Sequence, residues 1–208
     1  MTAMNFLPQS HLKLDRIPRV LTWNNAPLSW SYAEGILMIR AGEKTDLFLD
    51  PRHEYSALNS PRVTFIPETP FTLSARAKVG FKQDYDAAVL VLFANDKRWA
   101  KLCLEYSPQR NPTIVSVVTN VISDDSNHAT VGDRGIYLRI SGLGDNTFAF
   151  HYSENGSYWH LVRYFHLDAA DPVEVGFSSQ SPTGRSCEAR FSEIEYSNRK
   201  PADLRNGQ

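Results

Sequence analysis

The chain reads as all-β, and three observations carry that reading. Apolar and polar residues alternate at period two, turn-forming residues break the chain every 8 to 12 positions, and no stretch of 12 residues holds a capped helical stripe. The 12 prolines interrupt any helix that such a stripe would need. Short strands at that spacing predict a sandwich or barrel of antiparallel sheets, because each strand buries one face and wets the other.

Taken in order, the segments support this element by element. Pro61, Pro67 and Pro70 bracket RVTFI, predicting a short edge strand, where a missing N–H is tolerated. PFTLSARAKVG places Phe71, Leu73, Ala75, Ala77 and Val79 on one face and Thr72, Ser74, Arg76 and Lys78 on the other. AAVLVLFA is apolar at both parities, as a strand covered on both sides is. RWAKLCLEYS turns Ala100, Leu102 and Leu104 inward. GIYLRIS does so with Ile136, Leu138 and Ile140, and NTFAFHYS with Phe148, Phe150 and Tyr152. Asn155-Gly156 predicts a type I′ hairpin turn, since both central residues must accept positive φ. PVEVGFS buries Val173, Val175 and Phe177. No repeat or Pro/Ser/Gly-rich linker divides the chain, so residues 1–208 read as a single domain with its core over about 20–197. Residues 1–18 and 198–208 are polar and aperiodic and are expected to be partly ordered at best.

Composition narrows the function classes. Lys plus Arg is 22 against 23 for Asp plus Glu, a formal net charge of -1, which argues against nucleic acid and anionic membrane surfaces as partners. No run reaches the roughly 20 apolar residues of a membrane span. The opening MTAMNFLPQSHLKLDR lacks the basic-then-apolar order of a secretory signal, predicting a cytoplasmic chain. Cys103 and Cys187 rule out a disulfide framework; free thiols are expected, with one bridge left open.

Several strings together resemble a known family. They are Asp84-Tyr85-Asp86-Ala87-Ala88 running into VLVLF, Trp99-Ala100-Lys101, Glu105, Val117-Val118-Thr119 and Ser123-Asp124. Tyr152-Ser153, Asn155-Gly156, Trp159 and Arg163 follow, and Trp23, Pro27, Trp30 and Thr45-Asp46-Leu47-Phe48 fit as well. Over roughly residues 20–195 the chain is similar to a family of small concanavalin A-like domains that includes a fungal regulator of enolase expression. A related sandwich forms the C-terminal module of some β-xylosidases. The resemblance implies a concanavalin A-like (lectin/glucanase) jelly-roll sandwich of two antiparallel sheets. It supplies little chemistry, because fold does not fix function.

In such a sandwich the outer face of one sheet is concave and holds the ligand. On RWAKLCLEYS that face carries Trp99, Lys101, Cys103 and Glu105. An indole stacks on a sugar ring while charged groups bond its hydroxyls. Parity permits Tyr137, Arg139, His151 and Arg163 to join them, giving a candidate binding set of Trp99, Lys101, Glu105, Tyr137, Arg139, His151 and Arg163. A purely structural reading fits equally: Lys101 and Glu105 stand about 13 Å apart along the strand, and Arg139 or Arg163 can pair Glu105 across strands.

Catalysis has thinner support. Glycoside hydrolysis needs two carboxylates about 5–9.5 Å apart, and sandwich glucanases present them as Glu-x-Asp-x-x-Glu, a string this chain lacks. Glu105 is the one candidate acid or base, with Asp84/Asp86 and Glu193/Glu195 as the spaced acidic pairs. Histidines 11, 53, 128, 151, 160 and 166 show no zinc spacing. The run from Ser123 to His128 reads as an oxygen-rich loop with Asp124 and Asp125 as candidate calcium ligands, although turn chemistry accounts for it without a metal. No Gly-x-Ser-x-Gly elbow is present. Gly142-Leu143-Gly144 is a turn, not a dinucleotide loop, and Asn155-Gly156-Ser157 is a turn before it is a glycosylation sequon. Cys103 shares the face of Trp99 and Lys101, the setting an activated thiol would need, although most single thiols in strands are inert.

Three functions therefore stand: a non-catalytic domain binding a saccharide or polar metabolite without a cofactor, a glycoside hydrolase or lyase built on Glu105, and a module that docks a protein partner. The residues favour the first, because a stacking aromatic with mixed charges is visible and a pair of acids is not.

Overall fold

The computed structural model describes residues 11–208, and within them every regular element is a strand. Numbered in chain order, the eight-stranded sheet runs β1 (His11–Lys13), β2 (Val20–Asn24), β7 (Arg62–Phe65), β16 (Glu174–Gln180), β9 (Ala87–Asn95), β10 (Arg98–Tyr106), β11 (Pro112–Asn120), β12 (Ile122–Thr130). The seven-stranded sheet runs β15 (His160–His166), β14 (Thr147–Ser153), β13 (Ile136–Gly144), β8 (Phe71–Val79), β17 (Ser186–Ser197), β4 (Ile36–Gly42), β3 (Ser29–Ala33). A small hairpin, β5 (Leu47–Leu49) with β6 (Ser56–Leu58), stands apart from both. The pairings within both large sheets are antiparallel, and the two sheets pack as a jelly-roll-like sandwich.

The core between the sheets is built by the residues whose parity points inward. Leu90, Leu92, Leu102 and Leu104 from one sheet meet Leu73, Leu138, Ile140 and Phe191 from the other, with Phe177 and Phe191 rings 5.0 Å apart. Strand β9 is covered on both faces: Ala88, Leu90 and Leu92 join this core, while Ala87, Val89, Val91 and Phe93 join a second apolar cluster on the outer side. The β5–β6 hairpin creates that second cluster by laying Leu47, Phe48, Leu49 and Leu58 over the eight-stranded sheet.

Three expectations are corrected. RVTFI is not an edge: β7 lies between β2 and β16, because the N-terminal segment adds β1 and β2 outside it, and the flanking prolines leave its ladder intact. The expected disorder of residues 1–10 falls outside the described residues, but the stretch after them is ordered, with Leu12, Leu14 and Ile17 buried in the core. The far end folds back too, its Gly207 and Leu204 carbonyls accepting from Arg139 and His151 of the seven-stranded sheet. Finally, Asn155-Gly156 does not form a two-residue turn. A longer loop joins β14 to β15, in which only Gly156 takes positive φ (75°). The Asn155 side-chain oxygen there accepts the Ser157 and Tyr158 N–H groups, the local capping that favours Asn in loops. Among the described residues no helix is long and apolar enough to cross a membrane.

Candidate functional site

The outer face of the eight-stranded sheet is a grid whose rows follow from the strand register. One row crosses Gln180, Ala87, Glu105 and Thr113; a second, Val89, Cys103, Val115 and Asn127. The third crosses Val91, Lys101, Val117 and Asp125, and the fourth Phe93, Trp99, Thr119 and Ser123. The β5–β6 hairpin covers the fourth row, pinned by the Leu49 N–H on the Ser123 hydroxyl at 2.9 Å. Toward Glu105 the grid stays open and floors a pocket of about 530 Å³. Phe48, Tyr55, Tyr85 and Pro182 wall it.

Trp99 is therefore not the stacking platform that its parity suggests. It is 0 % exposed, packed under the hairpin with Leu47, and its indole N–H has no partner among the described residues. The aromatic surface of the pocket comes instead from Tyr55 and Tyr85, both exposed, and from Phe48, whose ring centre lies 6.5 Å from that of Tyr55. Tyr85 is held at φ 70°, a left-handed conformation that costs a non-glycine residue free energy. Its N–H on the Tyr106 carbonyl (2.7 Å) and its own carbonyl on Gln180 keep it at the rim.

The pocket floor is a buried polar network. Lys101 is 2 % exposed and donates from Nζ to Asp46 Oδ1 at 3.1 Å and to Gln180 Oε1 at 2.9 Å. Gln180 Nε2 donates in turn to Glu105 Oε2 at 3.4 Å, so one amide bridges the lysine and the glutamate. Burial pulls the Lys101 pKa down, but Asp46 and then Cys103 and Glu105 outweigh it and raise the value overall. Burial pushes Glu105 up to about 8, against the opposing pull of Lys101, so its carboxyl is mostly protonated at neutral pH and donates as well as accepts. Asp125 is raised for the same reason, burial. Lys101 with Asp46 is thus the charged pair of the floor, and Glu105 its neutral donor.

The other sequence-derived candidates lie elsewhere. Leu138, Ile140 and Phe150 fill the core, so Tyr137, Arg139 and His151 emerge on the outer face of the seven-stranded sheet, with the sandwich between them and Lys101. Parity places residues on a face without saying of which sheet. Tyr137 donates to Glu193 (2.6 Å), and Arg139 lies over the Trp159 ring at 4.0 Å. Arg163 ties the sheets together at one edge: its guanidinium bonds the Asp124 carbonyl (3.0 Å) and Oδ1 (2.9 Å), joining β15 to β12. Neither Arg139 nor Arg163 pairs Glu105. Asp124 and Asp125 are corrected as calcium ligands, since they are consecutive strand residues on opposite faces, not members of an oxygen-rich loop. Among the described residues no His/Cys/Asp/Glu group is arranged to hold a metal. Asp86 does not reach Glu105; it accepts the Lys82 and Gln83 N–H groups at 3.0 Å and the Ser181 hydroxyl at 2.8 Å. Both cysteines are free and buried, and burial raises the thiol pKa of each, Cys187 to about 12, the reverse of an activated thiol.

Asp46, Gln180, Tyr55 and Tyr85 went unread as site residues. Gln180 shares the outward parity of Glu174 and Ser178, so its face was legible; its neighbours were not, because Lys101 bonds partners 55 and 79 residues away.

With this geometry in hand, comparison with known proteins places the chain. The profile of the family described as protein of unknown function (DUF1349) matches residues 23–199. The chain belongs to that family. It is 25 % identical over 173 residues to Regulation of enolase protein 1 of Saccharomyces cerevisiae, covering 83 % of this chain and 86 % of the relative. A crystal structure of a functionally unknown protein from the same yeast superposes with a TM-score of 0.78 at 25 % identity, covering 85 % of this chain and 95 % of that one. The GH43 protein BlXynB of Bacillus licheniformis shares the sandwich, with TM-score 0.69 and 17 % identity, over 94 % of this chain but only 40 % of its own. The carbohydrate-binding module CBM66 of Bacillus subtilis shares it at TM-score 0.54 and 12 % identity, over 84 % and 94 %. At these identities the last two comparisons speak for the fold.

Proposed function

We propose that this chain is a non-catalytic, single-domain saccharide-binding sandwich whose site is the pocket over Lys101, Glu105 and Gln180. One observation carries the reading. A pocket of about 530 Å³ combines a fully networked polar floor with tyrosine walls, the pairing of fixed donors and apolar ring faces that polyhydroxylated rings require. A protonated Glu105 donates to sugar oxygens, Asp46 and Asp125 accept from hydroxyls, and Tyr55 and Tyr85 offer ring faces. The likeness to a carbohydrate-binding module supports the same class.

The test is a thermal-shift titration of the intact chain against mono- and oligosaccharides. Saturating one at a hundredfold excess over Kd adds about 2.7 kcal/mol of stability. Tyr85→Ala is expected to weaken binding about tenfold while the fold survives, since Tyr85 is exposed at the rim. A saccharide shift that is unchanged in both Tyr85→Ala and Glu105→Gln would remove the pocket from consideration.

One observation favours hydrolysis as a second reading: Glu105 is held protonated, as a general acid must be. The geometry disfavours it. Asp46 is committed to Lys101. Asp125 lies two strands across and four residues along from Glu105, about 16 Å between backbones, so the two carboxyls enter the pocket from opposite ends. Release of aryl aglycone by the wild type, lost in Glu105→Gln, would reverse this ranking. The name of the yeast relative supports a third reading, a regulatory module that docks a protein; binding to a protein partner that survives Tyr85→Ala, with no saccharide response, would favour it.

A further inference from the structure

The outer face of the seven-stranded sheet holds a second polar cavity, about 470 Å³, on the far side of the sandwich from the pocket above. Register explains why it is there. Arg139 on β13 faces Ser74 on β8, and Ser74 faces Glu195 on β17, so a small serine stands between a cation and an anion and leaves a gap. Backbone spacing puts Arg139 and Glu195 about 10 Å apart.

Arg139 is 9 % exposed and forms no ion pair with any described residue. Nη2 donates to the Gly207 carbonyl at 2.6 Å, the guanidinium covers Trp159, and Nε is buried without a partner. Burial with no carboxylate to offset it lowers its pKa to about 10. A buried guanidinium lacking a counter-charge is costly, and its planar fork fits one carboxylate edge-on. At the opposite wall Glu195 is exposed and Asp15 sits at the mouth, its Oδ2 already taking the Tyr32 hydroxyl at 3.0 Å. Two carboxylates there repel a multiply charged anion and attract a cationic group. Arg16, also at the mouth, adds a second positive charge on the outside.

We propose that this cavity binds a small zwitterion, its carboxylate on Arg139 and its ammonium group toward Glu195. Charges a few bonds apart match the gap, as in a β- or γ-amino acid. Ser74 contributes a hydroxyl between the two ends, and the C-terminal turn at Gly207 closes one wall by occupying the remaining Nη2 donor.

The experiment titrates the intact chain with β-alanine and γ-aminobutyrate by calorimetry, using acetate, methylammonium and inorganic phosphate at matched ionic strength as single-sign probes. Saturable binding of either amino acid, at least tenfold tighter than acetate or methylammonium, is expected. Ser74→Asp supplies Arg139 with a carboxylate from the facing strand; it is expected to abolish amino-acid binding and to raise the melting temperature. Glu195→Gln, an exposed change that leaves folding intact, is expected to reduce amino-acid binding to the level of acetate. Equal affinity for acetate and β-alanine, a response to phosphate alone, binding that persists in Ser74→Asp, or no binding to any probe would each overturn the proposal.

Discussion

The two outer faces of this sandwich handle buried charge in opposite ways. Under the β5–β6 hairpin, Lys101 has a carboxylate, an amide and a protonatable glutamate around it, each partner also held by the fold. Behind the seven-stranded sheet, Arg139 and His151 are also buried, but their hydrogen bonds go only to backbone carbonyls of the C-terminal turn, Gly207 and Leu204. Both faces begin from the same sequence pattern, a polar residue at the outward parity of a strand. What differs is the covering segment. Residues 46–58 bring a carboxylate to their strand, whereas residues 203–207 bring carbonyls alone. A covered cation with its counter-ion is compensated within the fold; one without carries an unoffset desolvation cost.

The largest effect should come from breaking the compensated side. Lys101→Met leaves Asp46 buried without its partner and should cost about 3–5 kcal/mol in urea unfolding. Trp99→Ala, under the same hairpin, should cost about as much through the cavity it opens. Arg139→Met removes a charge that lacks a counter-ion and should change stability by less than about 1 kcal/mol. Comparable losses for Lys101→Met and Arg139→Met would erase the contrast.

pH sharpens it. Glu105, raised to about 8 from an ordinary 4.5, binds its proton more tightly folded than unfolded, so stability falls as pH rises from about 4.5 to 8. His151 is neutral, its Nε2–H on the Leu204 carbonyl at 2.8 Å, and burial lowers it to about 4 from 6.5; stability therefore falls as pH drops from about 6.5 to 4. Melting curves from pH 4 to 9 should show a maximum in weak acid. Glu105→Gln should flatten only the alkaline limb and His151→Gln only the acid limb. A single variant flattening both would mean that the faces are coupled.

A local effect tests the C-terminal cover. Gly207 sits at φ 71°, and a Cβ there would come within 2.2 Å of Arg139 Nη2 and 2.6 Å of Trp159 Cβ. Gly207→Ala should cost about 1 kcal/mol. Amide exchange at residues 203–208 should quicken while the β5–β6 hairpin stays protected, and equal quickening of the two would contradict independent covers.

How much of this was legible can be judged residue by residue. Period-two alternation placed Leu138 inward and Arg139 outward, Leu102 inward and Lys101 outward, and the structure keeps every one of those directions. The doubly apolar AAVLVLFA marked a strand buried on both faces, as β9 is. Trp99 was misjudged because parity says which way a side chain leaves its strand, not whether another segment lies over it. Arg139 and His151 were grouped with Lys101 because parity is the same in both sheets. RVTFI was given an edge because its prolines were visible and the pairing of β2 was not.

The sequence by itself determined an all-β chain, the inward and outward set of most strands, and the lack of a disulfide framework, since those follow from local alternation and composition. Only the tertiary structure decided which outward residues meet. Lys101 finds Asp46 and Gln180 through contacts spanning 55 and 79 residues. The β5–β6 hairpin closes over Trp99, and the C-terminal turn closes over Arg139. Sheet order and covering segments are set by the burial of the whole core, a sum over contacts distant in sequence that no local pattern encodes.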